Sequence, residues 1–151
     1  MKKFVVVLIF SISFSLAPQI SYTDPTIGHG EVQLSERMVD YFIGYIKGDS
    51  SKAPALYIMT IDGDSYAAAW FCAAGTSNCR AGSRKKDVEI CERDAEKITG
   101  VRHECLVFAK QRTIVWKNGI NVGGKSGKIN SRWSVSEIKA KLNELGFYQN
   151  N

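Results

Sequence analysis

The chain has 151 residues, of which 44% are hydrophobic and 23% charged, a composition that excludes a disordered or fibrous protein. Twenty basic and 15 acidic residues give a formal net charge of +5, which is only modestly basic. About 130 residues remain once the leader described next is removed, enough for one domain and too few for two.

The N-terminus has the pattern of a secretory signal peptide. Lys2 and Lys3 precede an apolar run over residues 4–17, which is shorter than the roughly 20 residues needed to span a bilayer. Small residues follow, so we expect cleavage within residues 17–22 and a periplasmic or secreted product. The predicted boundaries are a signal peptide over 1–21, a flexible lead-in over 22–33 and a single domain over 34–151.

The first predicted helix covers "LSERMVDYFIGYIKG", in which apolar residues recur on one face and Ser35 caps the start. Two runs of strand-type residues follow, "ALYIMTI" and "SYAAAWF", on either side of Asp62, Gly63 and Asp64. Such a turn between two apolar runs predicts a β-hairpin.

The second predicted helix is "DVEICERDAEKITG", which Asp87 caps and Gly100 ends. The positions expected to form its buried stripe are Val88, Cys91, Ala95 and Ile98. After this helix, "ECLVFAK" and "TIVWK" are separated only by Gln111 and Arg112, so they predict a second hairpin.

The last predicted helix, "SVSEIKAKLNELG", begins with a capping box formed by Ser134 and Glu137 and ends at Gly146. The predicted order is therefore αββαββα. The sequence predicts an α+β fold in which a small antiparallel sheet carries the helices on one face.

Four cysteines lie in the exported part, at positions 72, 79, 91 and 105, and an even number in an oxidising compartment predicts two disulfides. A zinc site that uses His103 is the alternative, yet the chain lacks a C-x-x-C or H-x-x-x-H pair. Three pairings are possible. We favour Cys72 with Cys79 and Cys91 with Cys105, because the second pair would pin the second helix to the strand that follows it.

The stretch "GINVGGKS" over residues 119–126 satisfies the P-loop pattern G-x-x-x-x-G-K-[ST]. A P-loop needs a buried parallel strand before it and a helix directly after it. Here Gly127 and Ile129 do not continue a helix, and the next cap is Ser134. We therefore predict a tight turn and a connection, with no bound nucleotide and no cofactor.

The chain between Cys105 and Ser136 contains basic residues but no Asp or Glu. The cations are Lys110, Arg112, Lys117, Lys125, Lys128 and Arg132. Together with "RAGSRKK" they could form a basic face for anionic lipid or acidic glycan, with Trp116 or Trp133 stacking on the ligand. Ordinary solvated charge is the alternative reading, and nucleic acid is a less favoured partner.

Two other functional classes remain open. His103 is the candidate acid/base group for a small periplasmic hydrolase or transferase, although its neighbours along a strand would point to opposite faces. A protein inhibitor or partner subunit is the third class.

The segments "AAAWFCAAGTSNC" and "CERDAEKITGVRHECLVFAKQRTIVW" carry paired cysteines followed by a phenylalanine-containing strand and a tryptophan. In this the chain resembles small exported proteins of Gram-negative bacteria whose function is not known. The resemblance covers residues 67–116 and implies a compact, exported disulfide domain. It implies no catalytic site and no particular ligand.

Overall fold

A computed structural model describes residues 24–73, 75 and 84–149. In chain order the elements are α1 (Glu36–Lys47), β1 (Lys52–Thr60), β2 (Ala67–Ala73), α2 (Arg84–Thr99), β3 (Cys105–Lys110), β4 (Thr113–Ile114), a short 3-10 helix (Gly124–Gly127) and α3 (Val135–Glu144). The 3-10 helix interrupts the predicted order αββαββα, and β4 is shorter than predicted. The predicted signal peptide lies outside the described residues. Within the described ranges, no helix has the length and apolar character to cross a membrane.

The four strands form one sheet in the order β2-β1-β3-β4, and each neighbouring pair is antiparallel. Both predicted hairpins are confirmed, β1 with β2 and β3 with β4. The longest strand, β1, therefore lies inside the sheet and pairs on both of its edges. The α+β class and the antiparallel sheet agree with the sequence prediction.

The helices pack on both faces of this sheet, so the prediction of one covered face is wrong. Tyr57 and Met59 of β1 belong to the larger core cluster, which also contains residues of α1 and α3. Leu56 and Ile58 belong to a second cluster with Cys91 of α2. Side chains alternate between faces along a strand, and here both sets are buried. The unbroken apolar run "ALYIMTI" is typical of a strand covered on both sides.

The ends of α1 and α3 are capped as predicted. The hydroxyl of Ser35 accepts a hydrogen bond from the Met38 amide at 3.3 Å. At α3, Ser134 and Glu137 form the reciprocal capping box. Gly146, just beyond α3, has a φ of 77°, a conformation that glycine adopts without strain.

The prediction for α2 needs two corrections. The helix already includes Arg84, so Asp87 lies in its first turn and is not the cap. Of the predicted stripe, Cys91 and Ala95 are fully buried, but Ile98 is 70% exposed. The last turn of α2 therefore runs past the part of the sheet that it covers.

The segment ahead of α1 is hydrogen-bonded into the fold. The amide of Gly28 donates to the Val107 carbonyl at 3.0 Å, and the Val107 amide donates to the Thr26 carbonyl at 2.8 Å. Beyond β4, the Lys117 amide donates to the Gly28 carbonyl at 3.0 Å, and the Gly30 amide donates back to the Lys117 carbonyl at 2.9 Å. Residues 26–30 thus extend the hydrogen-bonded framework and cover part of the core.

A disulfide joins α2 to β3. Cys91 and Cys105 are bonded, are both fully buried and have their Cα atoms 6.1 Å apart. This pairing confirms the prediction for these two residues. The other predicted pair, Cys72 with Cys79, includes Cys79, which lies outside the described residues.

Candidate anion-binding groove

A groove of about 730 Å³ opens where the β3–β4 turn meets the start of β1 and the segment that precedes α3. Its lining consists of Ala53, Pro54, Gln111, Arg112, Thr113, Lys128, Ile129, Asn130, Ser131 and Trp133. The volume lies within the range typical of small-molecule sites.

The β3–β4 turn forms one wall and is firmly anchored. Gln111 has a φ of 50°, the left-handed conformation that a two-residue hairpin turn favours. Its amide donates to the Ala55 carbonyl at 2.8 Å, and its carbonyl accepts from the Tyr45 hydroxyl at 2.7 Å. Burial raises the pKa of Tyr45, so its hydroxyl stays protonated and remains a donor.

Arg112, the second residue of this turn, is held by one nitrogen of its guanidinium. The Nε atom donates to the carbonyl of Ile46, at the end of α1, over 3.1 Å. The two terminal nitrogens have no hydrogen-bond or ion-pair partner among the residues that the structure describes. A guanidinium that is fixed at Nε can still bind a carboxylate, because its two terminal nitrogens can donate two parallel hydrogen bonds.

The opposite wall is the segment over residues 128–133, which is tied to the hairpin. Lys128 forms an antiparallel bridge with Thr113, and the Ile129 amide donates to the Arg112 carbonyl at 2.8 Å. Ile129 is 1% exposed, so it anchors this wall in the core while its neighbours Lys128 and Asn130 are exposed.

Trp133 closes the groove at the end nearest α3. Its amide donates to the Asn130 carbonyl at 3.1 Å, and its own carbonyl accepts from Lys47 of α1. The indole is partly buried against the larger core cluster. The backbone that carries this ring is thus fixed from two sides.

The charge of the groove is of one sign. Among the residues that the structure describes, the lining includes both Arg112 and Lys128 and no Asp or Glu. Glu137 lines a different pocket, which Trp133 also borders, and its carboxylate accepts hydrogen bonds from the backbone and side chain of Ser134. Those bonds hold the pKa of Glu137 below its usual range. The arrangement favours an anionic ligand.

The structure brings together only part of the predicted basic face. Arg112 and Lys128 meet in the groove. Lys110 lies 3.8 Å from the Asp24 carboxylate, and burial lowers its pKa. Trp116 is 1% exposed and belongs to the core, so it cannot stack on a surface ligand.

The other three predicted cations, Lys117, Lys125 and Arg132, are exposed and do not line the groove. The polar residues of the groove lining, such as Asn130 and Ser131, are not among the site residues predicted from the sequence. Their one signal in the sequence is position, because they lie between the cation Lys128 and a tryptophan in a segment without carboxylates.

His103 has an acidic neighbour that the sequence did not reveal. Its Nδ1 atom lies 3.5 Å from Oδ2 of Asp62, in the β1–β2 turn. The Asp62 oxygens already accept hydrogen bonds from Thr60, from the Asp64 amide and from Ser65. Asp62 therefore organises the turn. The geometry of the pair fits a structural contact at least as well as an acid/base role.

Substitution of Asp62 by alanine is expected to destabilise the protein in a pH-dependent way. Partial burial alone would raise the pKa of this carboxyl, but the hydrogen bonds from Ser65, Thr60 and Asp64 together hold it well below its usual range. The stabilisation is thus fully present above the unfolded-state pKa near 4, declines as the pH falls below that value, and is gone only below the depressed folded-state pKa. We expect Asp62→Ala to lower the free energy of unfolding by about 1 kcal/mol at pH 7 and by less at pH 3.

Urea unfolding of both proteins at the two pH values measures this difference. Asp64→Ala is the matched control, because Asp64 is an exposed carboxylate of the same turn whose ion pair with Arg37 is open to solvent. It should cost less than about 0.5 kcal/mol. An Asp62→Ala effect that stayed constant between pH 7 and pH 3 would contradict the assignment.

The "GINVGGKS" stretch does not have the surroundings of a P-loop. The strand before it, β4, pairs antiparallel with β3, and the next α-helix begins only at Val135. Its last residues belong to the 3-10 helix, where the Ser126 hydroxyl donates to the Gly123 carbonyl at 2.9 Å. The glycines therefore serve loop geometry.

Comparison with known proteins finds no match to any protein family, curated protein or solved structure. Within the described part of the chain, no three His, Cys, Asp or Glu side chains are grouped so that they could hold a metal ion.

Proposed function

We propose that this protein is an exported, non-enzymatic binding module that holds an acidic saccharide of the cell envelope in the groove at the β3–β4 turn. The observation that carries the proposal is that Arg112 and Lys128 line one groove, in which the described lining residues include no carboxylate. Two cations that line one groove create a positive potential there, which attracts an anion.

The remaining lining residues favour a saccharide over a bare inorganic anion. Gln111, Thr113, Asn130 and Ser131 supply amide and hydroxyl groups that can bond sugar hydroxyls. Trp133 offers an aromatic surface at one end, which suits the apolar face of a sugar ring. The guanidinium fork suits the planar carboxylate of a sugar acid.

Export rests on two supporting features. The predicted signal peptide directs the chain across the inner membrane, and a buried disulfide between Cys91 and Cys105 is typical of an oxidising compartment. The resemblance to small exported disulfide proteins of Gram-negative bacteria agrees with this location. The second predicted disulfide, Cys72 with Cys79, is part of the same proposal.

Binding of a hexuronic-acid oligomer, measured by calorimetry, tests the proposal. We expect Arg112→Gln and Lys128→Gln each to weaken binding by about tenfold or more, because each removes a charge-assisted hydrogen bond. The neutral hexose oligomer of the same length should bind far more weakly. Because Arg112 also contacts Ile46, Lys128→Gln is the variant that changes the groove with the least effect on folding.

The matched control is the double variant Lys85→Gln/Lys86→Gln, which removes two exposed cations from α2. It should leave the affinity within about twofold at 150 mM salt, because its charges act only at long range. Equal losses in the α2 and groove variants would show nonspecific attraction and contradict the proposal. Absence of binding at low salt would contradict it as well.

A further inference from the structure

The loop between β4 and the 3-10 helix holds two aliphatic side chains in solvent. Ile120 is 62% exposed and Val122 is 69% exposed, whereas Asn121 between them is fully buried. Two large apolar side chains on one short loop cost solvation free energy. An exposed apolar pair in a defined position is a feature of surfaces that contact a partner.

The exposure of this pair is imposed by the fold. The side-chain Nδ2 of Asn121 donates to the carbonyls of Ile114 at 3.2 Å and Trp116 at 2.7 Å, and its side-chain Oδ1 accepts from the backbone amide of Gly123 at 3.2 Å. These hydrogen bonds hold Asn121 in the core and fix the conformation of the loop. The side chains of Ile120 and Val122, on either side of it, are therefore held in solvent.

The same loop also contacts the C-terminal end of α3. The Asn118 side chain donates to the Leu145 carbonyl at 2.8 Å. A Cβ atom at Gly146 would lie 2.7 Å from Cδ1 of Ile120, so Gly146 leaves the space in which that side chain rests. The loop is therefore supported by α3 as well as by the sheet.

Two lysines flank the apolar pair in the sequence, and both belong to the predicted basic residues that do not line the groove. Lys117 and Lys125 are both exposed, and neither forms an ion pair with any residue in the described ranges. The chain from Cys105 to Ser136 contains no Asp or Glu. At the end of α3, Glu144 is paired with a lysine of its own helix at 2.7 Å.

We propose that this loop docks the protein on an anionic lipid surface. Ile120 and Val122 enter the boundary between headgroups and acyl chains, while the ammonium groups of Lys117 and Lys125 remain at the level of the anionic headgroups. Insertion of a small apolar contact or attraction by a few basic charges does not give stable membrane attachment by itself, but the two together do. The site is separate from the groove, so it stands whether or not the groove binds a saccharide.

Vesicle flotation of the processed, exported protein tests the proposal. The vesicles contain phosphatidylglycerol and phosphatidylethanolamine, with pure phosphatidylcholine vesicles as the neutral reference. We expect Ile120→Ser/Val122→Ser to lower the partition coefficient by about tenfold or more, because two buried aliphatic side chains are lost. Lys117→Gln/Lys125→Gln should lower it by a similar factor on the anionic vesicles only.

The control is Ile98→Ser/Val101→Ser, which removes the same two residue types from the last turn of α2 and from the segment just beyond it. These side chains are 70% and 59% exposed, close to the values for the loop pair, and the variant should bind vesicles as the wild type does. Equal losses in the two double variants, equal binding to neutral and anionic vesicles, or no binding at low salt would each overturn the proposal. Saccharide binding by the same variants distinguishes failure of the loop from failure of the groove.

Discussion

Substitution of Gly28 by alanine is expected to lower the free energy of unfolding by about 3 kcal/mol or more, because the added methyl group would overlap a buried side chain. A Cβ atom at this position would lie 1.9 to 2.4 Å from three carbon atoms of the Trp116 indole. That ring is 1% exposed, and its Nε1 donates to the Gly30 carbonyl at 2.8 Å, so it has little room to move. Urea unfolding of the variant measures the loss.

Gly44 provides the matched control for this substitution. It lies on the exposed side of α1, and a Cβ atom there would meet nothing within 4 Å. Gly44→Ala should therefore stabilise the protein by about 0.5 to 1 kcal/mol, as alanine does in a helix interior. In a Trp116→Leu background, the cost of Gly28→Ala should fall. If that cost were unchanged, the clash with Trp116 would not be its cause.

Removal of the Cys91–Cys105 disulfide is expected to cost about 3 kcal/mol of unfolding free energy, the value for a loop of this size. The two residues are separated by 14 positions, and both are fully buried. The double variant Cys91→Ala/Cys105→Ala gives the value by urea unfolding without reductant. The loss of stability should arise mainly because the unfolded chain gains conformational entropy when the cross-link is removed.

The single variant Cys91→Ala adds an independent readout. The Cys105 thiol that it leaves is in the core, so it should react with an alkylating reagent only when the protein unfolds. A double variant as stable as the wild type would contradict the role of this bond. So would a Cys105 thiol that reacts at once in the folded single variant.

Local signals in the sequence predicted most of the elements. The capping box at Ser134 and Glu137 depends on residues within one turn, and the structure has it. Both hairpins follow from short turns between apolar runs, at Asp62 and at Gln111, and both are present. Such features are recognisable because the atoms that stabilise them are close in the sequence.

The arrangement of the helices depends on contacts between distant residues and was predicted only in part. The apolar run of β1 predicts one strand of a hairpin, and its burial on both faces is a finding of the structure. Covering both faces requires α2 to lie opposite α1 and α3, which the Cys91 contacts show. Amphipathic helices with similar apolar stripes contain no local sequence pattern that indicates which face of the sheet each helix covers.

The sequence predicts which basic residues could bind a ligand, but it does not predict where in the fold they come together. Arg112 and Lys128 meet because Lys128 bridges to β4, a contact between residues far apart in the sequence. The sequence prediction places Trp116 in the ligand-binding set and residues 22–33 in a flexible lead-in, but residues 26–30 cover the Trp116 indole. Their hydrogen bonds to the sheet place Trp116 in the core and leave Trp133 at the groove.

Titration of ¹⁵N-labelled protein with a hexuronic-acid oligomer, followed by amide chemical shifts, tests whether the groove binds a saccharide. We expect the shift changes to cluster at residues 111–113 and 128–133 and to include the Trp133 indole. The Trp116 indole and the amides of α2 should remain unchanged. Shifts spread over all exposed lysines, or centred on α2, would contradict a saccharide site in the groove.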